Sequence, residues 1–349
     1  MFRAVLVNDP FDDPAVYLDS KYRRDGILFD LGEIRNLVPR NILKVRHVFV
    51  SHAHMDHFIG FDHLLRVRLG RERPLFLYGP PGFLDRLENK LRAYTWNLVE
   101  NYSDDFVLVA TEVRRSGRIT RRYRCRTGFL PEGKEETAPF DGLLAEERLF
   151  SVRADLIDHG IPCLAFRFEE KNRINFKRNV LDEMELPTGS WLMDLRQMIL
   201  EGDPDDTPVR AWWKDGRGGT TERILPLGLF RERAVKISSG MVISYITDAV
   251  FTQENVRRIC ALAAGSDLLF IEATFLHEER DKAFLKRHLT ACQAGWLARL
   301  AGVRRMVLFH FSPKYRERQD EILAEAEAAF RGEKTPEPAA DETVGNTDG

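Results

Sequence analysis

Residues 51–58 read SHAHMDHF, which places His52, His54, Asp56 and His57 within six positions of a chain that has nine histidines. Neutral imidazole and carboxylate are the ordinary donors for zinc and its first-row neighbours, and an open metal site takes three protein ligands. His52 and His54, at the tip of a strand, share a direction because side chains there alternate with period two. Asp56 and His57 lie past the turn and can face a second ion. Four donors do not complete two sites, so partners are required elsewhere. His159 in LIDHGIPCLAF, Asp248 closing MVISYITD and His310 closing RMVLFH each stand beside an apolar run. The ends of strands in layered α/β proteins are where loops gather ligand-binding side chains. His47, His63 and His277 read as structural or solvated.

The four cysteines, Cys125, Cys163, Cys260 and Cys292, are widely spaced and form no C-x-x-C pair. They suit neither a disulfide framework nor a thiolate zinc site and fit a reducing cytoplasm. Any metal would therefore be held by nitrogen and oxygen.

The order and spacing of these residues resemble the metallo-β-lactamase superfamily, and within it the ribonuclease Z branch. SHAHMDH matches the superfamily hallmark, Glu272-Ala273-Thr274 matches a Glu-Ala-Thr element, and HFSPKY at 310–315 matches the closing motif. The similarity runs over about residues 25–315. It implies that His52, His54 and His159 hold one zinc, that Asp56, His57 and His310 hold a second, and that Asp248 bridges them. Two Zn2+ per chain would activate a water for attack on a phosphodiester. Asp56 is then the candidate proton acceptor, and His288, in KRHLTACQAG, the candidate general acid, with Glu272 able to orient it. The chain departs from the family pattern at Ile271, where a histidine is usual, and at PTGSWLMDL, where the tRNA-gripping arm usually carries Gly-Pro. The implied activity is release of 3′ trailers from precursor tRNA. The alternative is hydrolysis of a small phosphodiester, cyclic nucleotide or ester on the same fold, and a third reading is a binding protein without catalysis. Family members are often dimers, so a homodimer is implied.

These residues need rigid elements to hold them. Short β-rich runs (VYLDS, GILFDLG, KVRHVFV, LFLYG, FVLVATEV, LFSVRADL, CLAFRFEE, MVISYIT, LLFIEAT, RMVLFHF) alternate with helical patterns. FIGFDHLLRVRL carries apolar residues at helical spacing. TQENVRRICALAAG has Thr252 as N-cap and Gly265 near its end. The expected fold is α/β, a four-layer αββα sandwich in which sheets pack between helices. Residues 1–331 form the hydrolase domain, with an inserted arm or lid at about 169–230 in which Ser190 caps SWLMDLRQMILEG.

The chain has 349 residues, is 44% hydrophobic and carries a formal net charge of −2. Residues 332–349 contribute five acids and one lysine, so the rest is slightly basic at +2. That acidic tail reads as disordered. No run of about 18 apolar residues suggests a membrane span, and MFRAVLVNDPFDD lacks the shape of a secretory signal. The arginine-rich RRSGRITRRYRCR, residues 114–126 with Tyr123 among seven arginines, either grips phosphates and stacks on bases or decorates a solvated hairpin. Lys171, Arg173, Lys177 and Arg178 are a second candidate phosphate grip.

Overall fold

A computed structural model of the protein describes residues 2–20, 25–171, 173–214 and 219–341. Its first sheet has eight strands in sequence order: β1 (Phe2–Leu6), β2 (Val16–Ser20), β3 (Gly26–Phe29), β4 (Val45–Phe49), β5 (Leu75–Gly79), β6 (Val107–Arg114), β7 (Gly117–Arg124) and β8 (Pro131–Ala138). β3 to β6 are parallel and the flanking pairs antiparallel. The second sheet is built from β9 (Leu143–Glu146), β10 (Phe150–Asp158), β11 (Pro162–Glu170), β16 (Val242–Ile246), β17 (Leu268–Glu272) and β18 (Met306–Phe309). Its order is β18-β17-β16-β11-β10-β9.

Aromatic side chains join the two sheets face to face. Phe29 of β3 lies 5.5 Å from Phe166 of β11 and 5.7 Å from Tyr245 of β16, ring centre to ring centre. Phe49 of β4 lies 5.7 Å from Phe166. The outer face of the first sheet buries Leu28, Val48 and Leu77 against Phe61, Leu64, Phe83 and Leu87 of two helices, Phe61–Arg68 and Phe83–Arg92. The outer face of the second buries Ile246, Leu269 and Ile271 against the helices Gln253–Ala263, Ala291–Leu300 and Gln319–Arg331. The expected four αββα layers are thus present, because each sheet has two apolar faces that need cover.

Residues Glu169–Met241 form a second compact unit together with Glu146–Ser151. Its own core gathers Trp191, Leu195, Val209, Ala211, Leu227 and Phe230. It holds the helix Trp191–Glu201, the hairpin of β13 (Pro208–Lys214) and β14 (Thr220–Pro226), and the pair β12 (Arg173–Phe176) with β15 (Val235–Ser238). Asn172 and residues 215–218 of the expected insertion lie outside the described residues, as do 342–349 of the tail.

Several local expectations are corrected. Ser190 does precede its helix, but its backbone is already helical and its side chain makes no capping bond. FIGFDHLLRVRL is not one helix: Met55–Phe58 ends before Gly60, and a second helix begins at Phe61. Gly60 donates its N–H to Leu31 O at 2.8 Å, and a Cβ there would meet Gly32 O at 2.1 Å, so only glycine allows this approach. Residues 332–341 of the acidic tail are held in place: Ala339 pairs with Thr252, and Asp341 accepts from the N–H of Glu254 at 2.7 Å. Among the described residues, no helix is long and apolar enough to cross a membrane.

The arginine run forms the β6–β7 hairpin; four of its seven cations meet carboxylates of the same sheet, the neighbouring helix and the loop before β6, and Arg118 and Arg126 donate to backbone carbonyls. Arg121 pairs with Glu88 at 2.7 Å and with Glu135, Arg124 with Glu132 and Asp105, Arg114 with Glu112, and Arg122 lies 3.5 Å from Glu136. Tyr123 is fully buried, with its hydroxyl donating to Glu88 at 3.0 Å, so it offers no face to a base. In the second cluster, Lys171 pairs with Glu146, and Arg173 with Glu170 at 3.2 Å. Arg121→Ala is therefore expected to cost about 1–3 kcal/mol of stability by removing a charged donor from buried Glu88, which keeps Arg92 and the Tyr123 hydroxyl. It should leave RNA affinity and its salt dependence unchanged, which urea unfolding and a salt titration of binding will show.

Candidate metal centre

The SHAHMDHF stretch follows β4, with His54 as the N-cap of the one-turn helix Met55–Phe58. Asp248 follows β16 and His310 follows β18; both have positive φ, 46° and 59°. Non-glycine residues in that region are strained, and such strain persists where surrounding structure over-determines it. The turn they impose aims both side chains at the same point as His52 and His57. His159 stands in the β10–β11 turn, next to Gly160.

The structure brings all seven expected donors together. His52, His54, His159 and Asp248 form one group, and Asp56, His57 and His310 a second, each with its donor atoms within 4.8 Å of one another. Asp248 faces both groups. Its Oδ2 lies 3.5 Å from His52 Nε2, 3.3 Å from His159 Nε2 and 3.5 Å from His57 Nε2, and its Oδ1 lies 3.4 Å from His310 Nε2. Asp56 Oδ2 lies 3.4 Å from His57 Nε2 and 3.3 Å from His310 Nε2. His52, His57 and Asp248 are buried, while His54 is exposed.

The outward ring nitrogens are fixed by partners that sequence reading did not single out. Asp30, fully buried at the end of β3, accepts from His57 Nδ1 at 2.8 Å, Ser51 Oγ at 2.8 Å, Ser51 N at 2.6 Å and Tyr245 hydroxyl at 2.7 Å. Since the Ser51 hydroxyl is spent on Asp30, its oxygen accepts from His52 Nδ1 at 3.0 Å. His159 Nδ1 donates to Arg287 O at 2.8 Å, and Arg287 has φ of 62°, which turns that carbonyl toward the ring. Partners of this kind fix tautomer and orientation. The only sequence signal for Asp30 was a carboxylate closing GILFD, a common feature of strand ends.

With Nδ1 protonated, His52 and His57 present bare Nε2 lone pairs to the Asp248 carboxylate. His52 Nε2 is buried and has no hydrogen-bond partner, a cost of about 1–3 kcal/mol. Acceptor facing acceptor is unfavourable unless a cation stands between them, so this nitrogen- and oxygen-only donor set fits divalent metal. Protons are the other way to meet the same charge. Burial opposes ionisation of Asp248, yet His310 and His57 hold its carboxyl well below the usual range. Burial likewise pushes His57 down, but Asp248 and Asp30 outweigh it and raise it well above an ordinary histidine. For His52, burial and the His57 charge outweigh the opposing pull of Asp248 and push it down to about 2.

His288 stands beside this cluster. A capping box, in which Thr290 accepts from Gln293 N and the Gln293 side chain accepts from Thr290 N, fixes the start of the helix just after it. Its Nδ1 donates to Glu272 at 2.9 Å and lies 4.0 Å from Asp248 Oδ1. Asp248, His288 and His310 also have donor atoms within 4.8 Å of one another. Glu272 is fully buried and accepts from Ala249 N at 2.7 Å and Thr274 Oγ1 at 2.6 Å. Burial pushes His288 down, but Glu272 overrides it and raises it to about 9. Of the histidines expected to be structural, His47 is buried in a stack with Phe76 and His277 hydrogen-bonds to Thr290 Oγ1 at 3.0 Å.

No protein-family model matches the chain. A ribonuclease Z from Deinococcus radiodurans is 29% identical over 336 residues, covering 95% of this chain and 96% of the relative. One from Prochlorococcus marinus is 30% identical over 329 residues, covering 90% and 87%. Among solved structures, the metallo-beta-lactamase fold protein YhfI from Bacillus subtilis superposes with a TM-score of 0.52 at 14% identity, covering 92% of this chain and 86% of that one. That likeness supports the αββα fold, and the sequence relatives carry the finer assignment: the chain belongs to the ribonuclease Z family.

Proposed function

We propose that the protein is a zinc-dependent endoribonuclease that releases 3′ trailers from precursor tRNA. The observation that carries this is the pair of donor groups sharing Asp248, with the His288–Glu272 pair alongside. Family membership supplies the substrate class. His52, His54 and His159 would hold one zinc ion, Asp56, His57 and His310 the other, and Asp248 would bridge. Two such ions supply positive charge to the attacked phosphate and lower the pKa of water toward neutrality.

The protein's own groups perform the remaining work. Asp56 accepts the proton that the attacking water loses. Water oxygen adds to phosphorus in line as the P–O3′ bond breaks. His288 gives a proton from Nε2 to the departing 3′ oxygen, leaving a 3′ hydroxyl on the tRNA and a 5′ phosphate on the trailer. Glu272 holds the imidazolium in place and keeps it charged near neutral pH. The four unpaired thiols support a reducing, cytoplasmic setting.

The test offers the purified, metal-loaded protein precursor tRNA and a chromogenic phosphodiester side by side. Trailer release at one defined junction is the expected result. Turnover of the small ester alone would overturn the tRNA reading and leave a small-molecule phosphodiesterase.

A further inference from the structure

We propose that a groove along the outer side of the Phe61–Arg68 helix binds single-stranded RNA, namely the 3′ trailer that leaves the metal centre. This rests on the function proposed above. The helix begins four residues after His57, and the Leu31–Ile34 turn packs on Gly60 at its start. Its first turn therefore lies beside the metal centre, and at about 1.5 Å per residue its length carries the groove several ångströms away.

The groove has a volume of about 460 Å³ and is lined by Arg35, His63, Arg66, Leu69, Tyr94 and Trp96. Its available cation is Arg66, which is exposed and has no ion pair among the described residues; Arg35, 76% exposed, pairs at 3.7 Å with Glu33. Its one carboxylate, Asp62, pairs with Lys90 through Oδ2 at 3.2 Å, while its Oδ1 is buried without a hydrogen-bond partner. With Asp62 countered by Lys90 and Arg35 by Glu33, Arg66 leaves the groove a positive charge for an anion.

Its aromatic rings are fixed and accessible. Tyr94 is 47% exposed and meets Trp96 edge to face at 5.9 Å. Trp96 is anchored by its Nε1 donating to Leu91 O at 2.8 Å and by Phe129 at 4.8 Å. Cations that track a backbone beside rings that accept bases are what an unpaired strand requires, while a duplex keeps its base faces stacked away. Where the arginine hairpin spends Arg114, Arg121, Arg122 and Arg124 on carboxylates and buries its tyrosine, this groove leaves Arg66 and the Tyr94 ring open.

The test measures binding of fluorescent oligouridylate to the full protein, wild type and variants. Arg66→Ala with Tyr94→Ala should weaken it roughly tenfold and flatten its salt dependence. Tyr94→Phe keeps the ring and should retain affinity. The double variant should also raise KM for precursors with long trailers while sparing kcat and those with minimal trailers. Unchanged oligonucleotide affinity, a loss in Tyr94→Phe equal to that in Tyr94→Ala, equal KM changes at both trailer lengths, or equal affinity for polyglutamate would each overturn the proposal. If wild type binds the oligonucleotide through these residues yet cuts no precursor tRNA, the substrate reading fails and the groove stands.

Discussion

His288→Ala should slow release of a tRNA trailer by roughly 10²–10⁴-fold, the range for loss of a general acid, while both metals and the fold remain. His288 lies outside the seven-donor set, and its Nδ1 is taken by Glu272. A ribose 3′ oxygen is a poor leaving group and needs the proton; a nitrophenolate does not, so the chromogenic ester should be affected far less. Equal losses on both substrates with metals retained would exclude the acid role. Loss of metal would place His288 among the ligands, a reading its donor atom's distance from Asp248 and His310 keeps testable.

Glu272→Gln provides an independent check through pH. Glu272 is what raises His288 to about 9 against the effect of burial. The acid must be protonated, so activity falls as pH rises through this pKa. Removing the negative charge lowers the pKa, and the falling limb should move to lower pH. Glu272→Gln still accepts a hydrogen bond, so an unshifted limb would mean that His288 titration does not control the rate.

Asp248→Ala should lose metal from both sites, whereas His54→Ala should empty only one. Asp248 is buried and has a carboxylate oxygen within 3.5 Å of four histidine nitrogens, spanning both groups. Even outer-sphere partners of a metal ligand alter affinity by about 10–100-fold, so removal of a shared ligand should cost at least about 100-fold at each site. Metal analysis after dialysis reads the difference directly. Full occupancy in His54→Ala, or loss of a single ion in Asp248→Ala, would overturn the proposed sharing. Asp248→Ala should also alter stability, since His52, His57 and His159 would then face one another without a carboxylate.

The sequence alone determined what depends on neighbours in the chain. The donors of SHAHMDHF are adjacent, so their joint purpose is legible without a fold. The strands are β-branched and aromatic runs, and Thr252, whose side chain accepts from Asn255 N, caps its helix through a contact three residues long. Gly265, with φ of 63°, follows that helix for an equally local reason.

Tertiary structure decided whatever depends on partners far along the chain. Asp30 looks like any strand-end aspartate, yet it holds Ser51, His57 and Tyr245, which lie 21, 27 and 215 residues away. The strained φ of Asp248 and His310 is set by the packing of parallel strands, and only that packing makes their side chains converge with His52 and His57. The arginine run shows the same limit in reverse. Its charge is obvious in sequence, but whether a cation is free depends on the strand beside it. The register of β7 against β8 and the position of Glu88 neutralise Arg121 and Arg124. Arg66, in a less conspicuous stretch, keeps its charge because Asp62, one helical turn before it, pairs with Lys90 instead. Local propensity acts over a few residues, whereas electrostatic pairing acts through space, and only the folded chain fixes which charges meet.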